Sequence, residues 1–351
     1  MNVQVEGKDI ILDSNLNKAD VKYYPIGEGK IRLYGVTLEN GVYRRLPEKL
    51  ANSVSNDVAT LHTHSSGGRV RFTTDSPYVA IYAVLKQIIK NTTFPMAATA
   101  GFDLYVFEDG KQRRRGNVIP PFRIEDRYEA AIELQGKKTR DIVINFPLHS
   151  AVCELYIGLS KDAKLEASPE YTIKTPIVYY GSSITHGACA SNPGACYEAV
   201  VSRNVDCDYI NLGFSGGAKG ELEIANYIKD LKMSAFVYDY DHNAPSAEHL
   251  ENTHKRMFDV IRNANPTLPI IIMPRPKYFQ TEDEIKRHKI IKKTYLDAKA
   301  AGDENVYFIS SKQLTALSKD CGTVDGCHPT DLGFASIAAA VTKVMKKIFN
   351  L

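Results

Sequence analysis

The sequence predicts two domains of different fold class, an all-β sandwich followed by an α/β domain built on a parallel sheet. Three observations predict it. The chain has 351 residues, which exceeds the ~100 to 200 residues of a typical domain and suits two. Up to about residue 165, apolar and polar residues alternate in short runs closed by turn residues, the period of half-buried antiparallel strands. From Ile177 onward, apolar runs alternate with helix-length segments, as in parallel strands with helices on both faces.

In the first half the strand-like runs are Ile31 to Tyr34, Val70 to Thr73, Val79 to Val84, Phe102 to Val106, Ile142 to Phe146 and Glu154 to Gly158. Gly, Asp-Ser-Pro and Glu-Asp-Gly breaks separate them, and no long amphipathic helix is expected among them. Lys164 to Pro176, charged and carrying two prolines, reads as the connector. The expected domains are therefore 1–165 and 172–351. In the second half, strands are expected at Ile177 to Tyr180, Tyr209 to Leu212, Ala235 to Tyr240, Pro269 to Met273 and Val306 to Ser310. Helices are expected at Tyr197 to Asn204, Glu221 to Leu231, Ala247 to Ala264, Glu282 to Ala301 and Leu332 to Phe349.

Composition narrows the function classes. Hydrophobic residues make up 44% and charged residues 24%, the balance of a soluble globular protein, and no apolar run approaches the ~18 residues of a membrane span. The 44 basic and 41 acidic residues are scattered through both halves, so there is no footprint for nucleic acid. The basic run Lys286 to Lys289 with Lys292 and Lys293 reads as a solvated helix face. The N-terminus has no basic region followed by an apolar stretch. A cytoplasmic location is expected if the sequence is complete, and a periplasmic or secreted one if a leader has been removed. The six cysteines form no CxxC pair, which argues against zinc and favours free thiols, although Cys189 with Cys196 and Cys321 with Cys327 each share a loop. His62 and His64 stand at alternate positions but have no partner carboxylate or cysteine in view, so no metal is expected. Oligomeric state is not legible.

Tyr179-Tyr180-Gly181-Ser182-Ser183 is a strand running into a tight turn, the place where open α/β sheets hold their chemistry. A serine hydroxyl is a weak nucleophile until a base takes its proton, and the remaining chain offers the parts Ser183 needs. In Asp325-Gly326-Cys327-His328 an acid precedes a histidine by three residues, so one turn of backbone can place the carboxylate on the ring nitrogen that faces away from Ser183. The glycine-rich run-out after the second strand, Asn211 to Gly216, can present the Gly216 N–H close to a substrate. Asn243, after the third strand, can donate a second hydrogen bond to an oxyanion. The same turn has no GxxxxGK[ST] and no GxGxxG, which excludes a phosphate loop and a dinucleotide fingerprint. His186 and His242 either line the pocket or pack as polar side chains. Arg275 either meets an anionic substrate or pairs with a nearby acid.

These four stretches resemble the four blocks of the SGNH (GDSL-like) hydrolases, in order and with compatible spacing. Gly101-Phe102-Asp103-Leu104-Tyr105 is similar to the GxDLY signature of the sandwich that precedes the catalytic domain in one bacterial branch of these esterases. The resemblance implies a jelly-roll-like sandwich and a flavodoxin-like catalytic domain. It implies Ser183 as nucleophile, His328 as base, Asp325 as its orienter, and an oxyanion hole from the Ser183 N–H, Gly216 and Asn243. It also implies hydrolysis of small acyl esters, O-acetyl groups on carbohydrate above all, without a cofactor; the partner is then a small-molecule or oligosaccharide ester. The alternatives are a lipid or thioester acylhydrolase and a carbohydrate-binding protein with a relic hydrolase domain. Two departures stand out: Ser182 replaces the family's acidic residue before the nucleophile, and Asp241-His242-Asn243-Ala244 replaces Gly-x-Asn-Asp.

Overall fold

The computed structural model describes residues 1–351. It divides into two compact units, one of residues 1–45, 63–170 and 191–194, the other of 46–62, 171–190 and 195–351. Besides two two-stranded pairings, Asn2–Gln4 with Ile11–Asp13 and Thr37–Glu39 with Val42–Arg44, the first unit contains two larger antiparallel sheets. One pairs, in order, Lys111–Val118, Phe102–Glu108, Arg140–Asn145, Arg69–Thr74 and Leu165–Glu166, with Arg32–Tyr34 also on Arg69–Thr74; the other is Arg127–Glu133, Tyr78–Lys86, Ala151–Ser160 and Val21–Pro25. Phe72, Phe102, Leu104, Ile142 and Ile144 of the first meet Ile81, Ala83, Leu155 and Ile157 of the second in one core.

Four of the strands in these larger sheets, Val21–Pro25, Lys111–Val118, Arg127–Glu133 and Leu165–Glu166, are absent from the sequence-based expectation. Lys111–Val118 carries Lys-Gln-Arg-Arg-Arg and buries only Val118, so it lacks the apolar alternation that announces a strand. Tyr78–Lys86, expected at Val79 to Val84, is buried on both faces. Val79, Ile81, Ala83 and Leu85 enter the inter-sheet core. Tyr78, Ala80 and Tyr82 enter a second cluster with Val5, Leu12 and Tyr23.

The GxDLY segment has a specific packing role in this unit. A Cβ on Gly101 would overlap the Ala97 carbonyl, so only glycine fits. Phe102, Leu104 and Val106 point to the core, and the alternate residues serve the other face. Asp103 accepts from Asn145 Nδ2 at 2.8 Å and from the Gly194 N–H at 2.6 Å. Gly194 lies against the Tyr105 ring so closely that a Cβ there would overlap it.

The second unit is a five-stranded parallel sheet. Its strands in chain order are Ile173–Gly181, Cys207–Gly213, Ala235–Asp239, Ile270–Ile272 and Val306–Phe308, arranged 2-1-3-4-5, the flavodoxin-like order. The connecting helices are Tyr197–Val205, Leu222–Lys229, Ala247–Ala264 and Glu282–Ala300, and Asp331–Phe349 closes the chain. The mixed fold class read from the sequence is the one observed. Two helices within the sandwich half of the sequence, Glu48–Val54 and Asn56–Leu61, group with this second unit, where Leu46, Ala51 and Val58 join its core. His62 caps the second of them with its Nδ1 on the Ala59 carbonyl at 2.8 Å. It is therefore not on a strand with His64, as the alternate spacing suggested. All six cysteines are free thiols.

Candidate active site

The first strand ends at Gly181, and Ser182 caps a one-turn helix, Ser183–His186, by accepting the Ile184 N–H. This sharp strand-to-helix turn needs glycine at 181, since a Cβ there would overlap Asp239 Oδ1 and Thr185 Oγ1. Thr185 Oγ1 donates to Asp239 Oδ1 at 2.5 Å and contacts the Tyr197 hydroxyl at 3.0 Å, while the Ser182 N–H approaches Asp239 Oδ1 at 3.4 Å. The buried carboxylate of the third strand thus ties down the serine turn. Its burial, which the Thr185 and Ser182 hydrogen bonds only partly offset, pushes its pKa up to about 7.

Ser183 Oγ lies 2.9 Å from His328 Nε2, and His328 Nδ1 lies 2.7 Å from Asp325 Oδ2. Asp325 Oδ1 accepts the backbone N–H groups of Cys327 at 3.0 Å and His328 at 2.8 Å, so a single tight loop holds acid and imidazole in register. Desolvation opposes ionisation of Asp325, but the His328 ring and these N–H donors outweigh it and hold its pKa down at about 2. An ionised carboxylate on Nδ1 fixes the tautomer that leaves Nε2 free to take a proton from Ser183.

The three N–H donors expected from the sequence can each be described by their immediate neighbours. Gly216 has φ +72°, with open space where a Cβ would stand. The preceding Ser215 is held by His186, whose Nδ1 lies 3.0 Å from Ser215 Oγ and 3.4 Å from its N–H. Asn243 Nδ2 donates to the Phe214 carbonyl at 2.8 Å; an amide carries two N–H groups, so one remains. The Ser183 N–H belongs to the first turn of its helix, where backbone donors have no partner within the helix.

The remaining candidates from the sequence fall elsewhere. Arg275 is committed to acids: its Nε and Nη2 meet Asp241 Oδ2 and Oδ1 at 2.9 and 3.0 Å, and its Nη1 meets Glu284 at 3.3 Å. Of its two alternative readings, pairing with a nearby acid describes the structure. His242 Nδ1 lies 3.5 Å from Cys327 Sγ, and desolvation followed by the Arg275 charge pushes its pKa down to about 3, so the ring is neutral. His186 is buried and supports Ser215. Sequence reasoning missed Asp239, Thr185 and Arg287. Asp239 had a readable signal, as an acid closing an apolar strand next to the serine strand.

A 2-1-3-4-5 parallel sheet with a histidine-bonded serine at the end of its first strand defines a class, the α/β ester hydrolases with an elbow serine. The chain belongs to the GDSL-like lipase/acylhydrolase family: residues 174–346 match that family's model and residues 21–165 match the N-terminal domain of SGNH-hydrolase-type esterases. It is an ester hydrolase. A Bacteroides ovatus protein described as a GDSL-like lipase is 29% identical, with a TM-score of 0.84 over 94% of this chain and 98% of that one. The salicylyl-acyltransferase SsfX3 of a tetracycline biosynthetic pathway is 18% identical, with a TM-score of 0.74 over 95% and 99% of the two chains. An acetyl xylan esterase of the rumen bacterium Butyrivibrio proteoclasticus is 12% identical, with a TM-score of 0.60 over 95% and 99%. At those identities the last two likenesses are of fold. No curated protein sequence matches the chain. No helix is long and apolar enough to cross a membrane.

Proposed function

We propose that the chain is a serine esterase that removes short acyl groups, O-acetyl foremost, from carbohydrate. The observation that carries the catalytic part is the line Asp325 Oδ2, His328 Nδ1, His328 Nε2, Ser183 Oγ, with its two contacts of 2.7 and 2.9 Å. Ser183 Oγ attacks the ester carbonyl as His328 Nε2 takes its proton. The carbonyl oxygen becomes an oxyanion facing the N–H groups of Ser183, Gly216 and Asn243. His328 then gives the proton to the departing alcohol, leaving an acyl-Ser183. Water, deprotonated by His328, attacks that acyl group; collapse of the second tetrahedral intermediate releases the acid and restores the Ser183 hydroxyl.

Support for a sugar alcohol is by fold, from the acetyl xylan esterase and the family 2 carbohydrate esterases that share it. Fold alone does not select a substrate, so the test is direct. The full chain is assayed on acetylated xylo-oligosaccharides, on nitrophenyl esters of increasing chain length and on acyl thioesters. Acetate release from the oligosaccharide exceeding turnover of long-chain esters and thioesters is expected. The reverse order makes the chain a lipid or thioester acylhydrolase, and no turnover of any ester by wild type sinks the catalytic reading.

A further inference from the structure

The turn that carries Asn243 departs in sequence from the family block that it resembles. In Asp241-His242-Asn243-Ala244 the glycine position is an aspartate and the final aspartate position an alanine, yet the backbone forms a compact 3-10 turn over Tyr240–Asn243. Two arginines from outside the turn hold it. Arg275, just past the fourth strand, grips the Asp241 carboxylate with a two-pronged fork and also donates from Nη2 to the Asp241 carbonyl at 3.2 Å, while its own N–H meets Asp241 Oδ2 at 3.1 Å. Arg287, on the helix Glu282–Ala300, donates from Nη1 to the Asp241 carbonyl at 3.3 Å and to the Ala244 carbonyl at 2.9 Å. The two carbonyls flanking His242-Asn243 are thereby tied to one rigid body.

That body is itself braced. Glu284 accepts from Arg275 Nη1 and, as the third residue of a capping box, from the Thr281 N–H at 2.8 Å. Asp283 takes Arg287 Nε at 2.6 Å, and the Arg275 carbonyl accepts from Ser311 Oγ at 2.8 Å. The Asp241 side chain is fully buried, and those of Arg275 and Arg287 are 13% and 8% exposed. Buried ion pairs are a poor way to gain stability, because well-packed apolar residues do as well. What apolar packing cannot do is fix two carbonyls and a carboxylate at set distances, and planar guanidinium forks do that.

We propose that Arg275 and Arg287 are positioning residues for Asn243, clamping the Tyr240–Asn243 turn so that the amide hydrogen not used by Phe214 is aimed at the oxyanion. The clamp rests on the reading of Asn243 as an oxyanion donor, and it accounts for the departure of this block from the family pattern. Lysine retains the charge but not the fork, so Arg275→Lys and Arg287→Lys loosen the aim without stranding Asp241 unpaired.

The test is a double-mutant cycle on nitrophenyl acetate hydrolysis by the full chain, with each lysine variant made alone and with Asn243→Ala. Each lysine variant is expected to lower kcat by about 5- to 50-fold with KM within about twofold, the signature of an interaction made only in the transition state. In the Asn243→Ala background the same substitution is expected to change kcat by less than about twofold, because the group it aims is gone. A merely structural role gives losses that multiply in the double variants, and that result overturns the clamp. So does an unchanged kcat in both lysine variants while Asn243→Ala is impaired. If Asn243→Ala leaves kcat at the wild-type value, the donor reading fails and the clamp falls with it. Should Arg275→Lys fail to fold, Arg287→Lys and Arg287→Gln complete the cycle with the same expectations.

Discussion

A serine hydroxyl becomes reactive only when its proton has an acceptor of fixed orientation; in the proposed mechanism that acceptor is His328, held by a carboxylate three positions earlier in the chain. On the proposed mechanism, Ser183→Ala and His328→Ala each remove one reacting atom and no core packing, so turnover is expected to fall to background while the thermal midpoint stays within about 2 °C of wild type. Substantial esterase activity in pure Ser183→Ala protein moves the nucleophile elsewhere, with Ser182 next in line. Asn243→Ala is expected to cost about 10² to 10³ in kcat with little change in KM; steady-state kinetics on a nitrophenyl ester decides it, and an unaltered kcat makes Asn243 structural. The residues of this set were legible because each lies in a short local pattern: a serine after a strand, a histidine three after an acid. Thr185 and Arg287 were not, since their partners lie on other strands and helices and no local spacing announces them; Asp239 left the one readable trace, an acid closing an apolar strand.

At the scale of the element, the serine turn is the demanding piece, a strand and a helix joined with a buried carboxyl wedged beneath them. Gly181 leaves room for Asp239, and Asp239 secures Ser182 and Thr185. The arrangement has a pH signature. Asp239 sits at about 7 in the folded chain against a free value of 3.8, so between those values the unfolded chain has lost the proton and the folded chain keeps it. Stability present at low pH is therefore lost as pH rises toward about 7, by at most about 1.4 kcal/mol per unit, and the loss levels off above it. Asp239→Asn cannot titrate. Its thermal midpoint relative to wild type is expected to improve steadily from about pH 4.5 to about pH 7.5, as read by calorimetry at matched ionic strength; a constant difference means that Asp239 does not titrate in that window. The long helices and all five parallel strands of this unit were legible from period and from bounding turn residues. The helix Ser183–His186 was not, because four residues are too few to show a period.

At the scale of the whole molecule, the sequence suggests one cut between two domains, near residues 165 to 172, while the compact units interleave. Residues 46–62 belong with the α/β unit and 191–194 with the sandwich unit. Two helices of seven and six residues carry only a few apolar side chains among polar ones, so neither their existence nor their allegiance shows in the pattern. Their allegiance has consequences for the site. Leu46, Ala51 and Val58 are buried in the core of the α/β unit. The helix Asn56–Leu61 also lies against the donor loop: a Cβ on Gly217 would stand 3.1 Å from Asp57 Cβ and 3.7 Å from Leu61 Cδ1, and Lys219 Nζ reaches Asp57 Oδ2 at 3.7 Å. A fragment beginning at Tyr171 keeps every residue of the proposed catalytic set but exposes that apolar surface and loses the wall beside Gly217. It is expected to bind a hydrophobic dye, to unfold at least about 10 °C below the full chain, and to lose kcat on nitrophenyl acetate. Joining residues 46–62 to its N-terminus through a flexible linker is expected to recover part of both losses, since the deleted contacts lie within one core. If the bare fragment melts cooperatively at the temperature of the full chain and turns over the small ester at the same rate, the two helices are dispensable covering and the donor loop holds its shape without them.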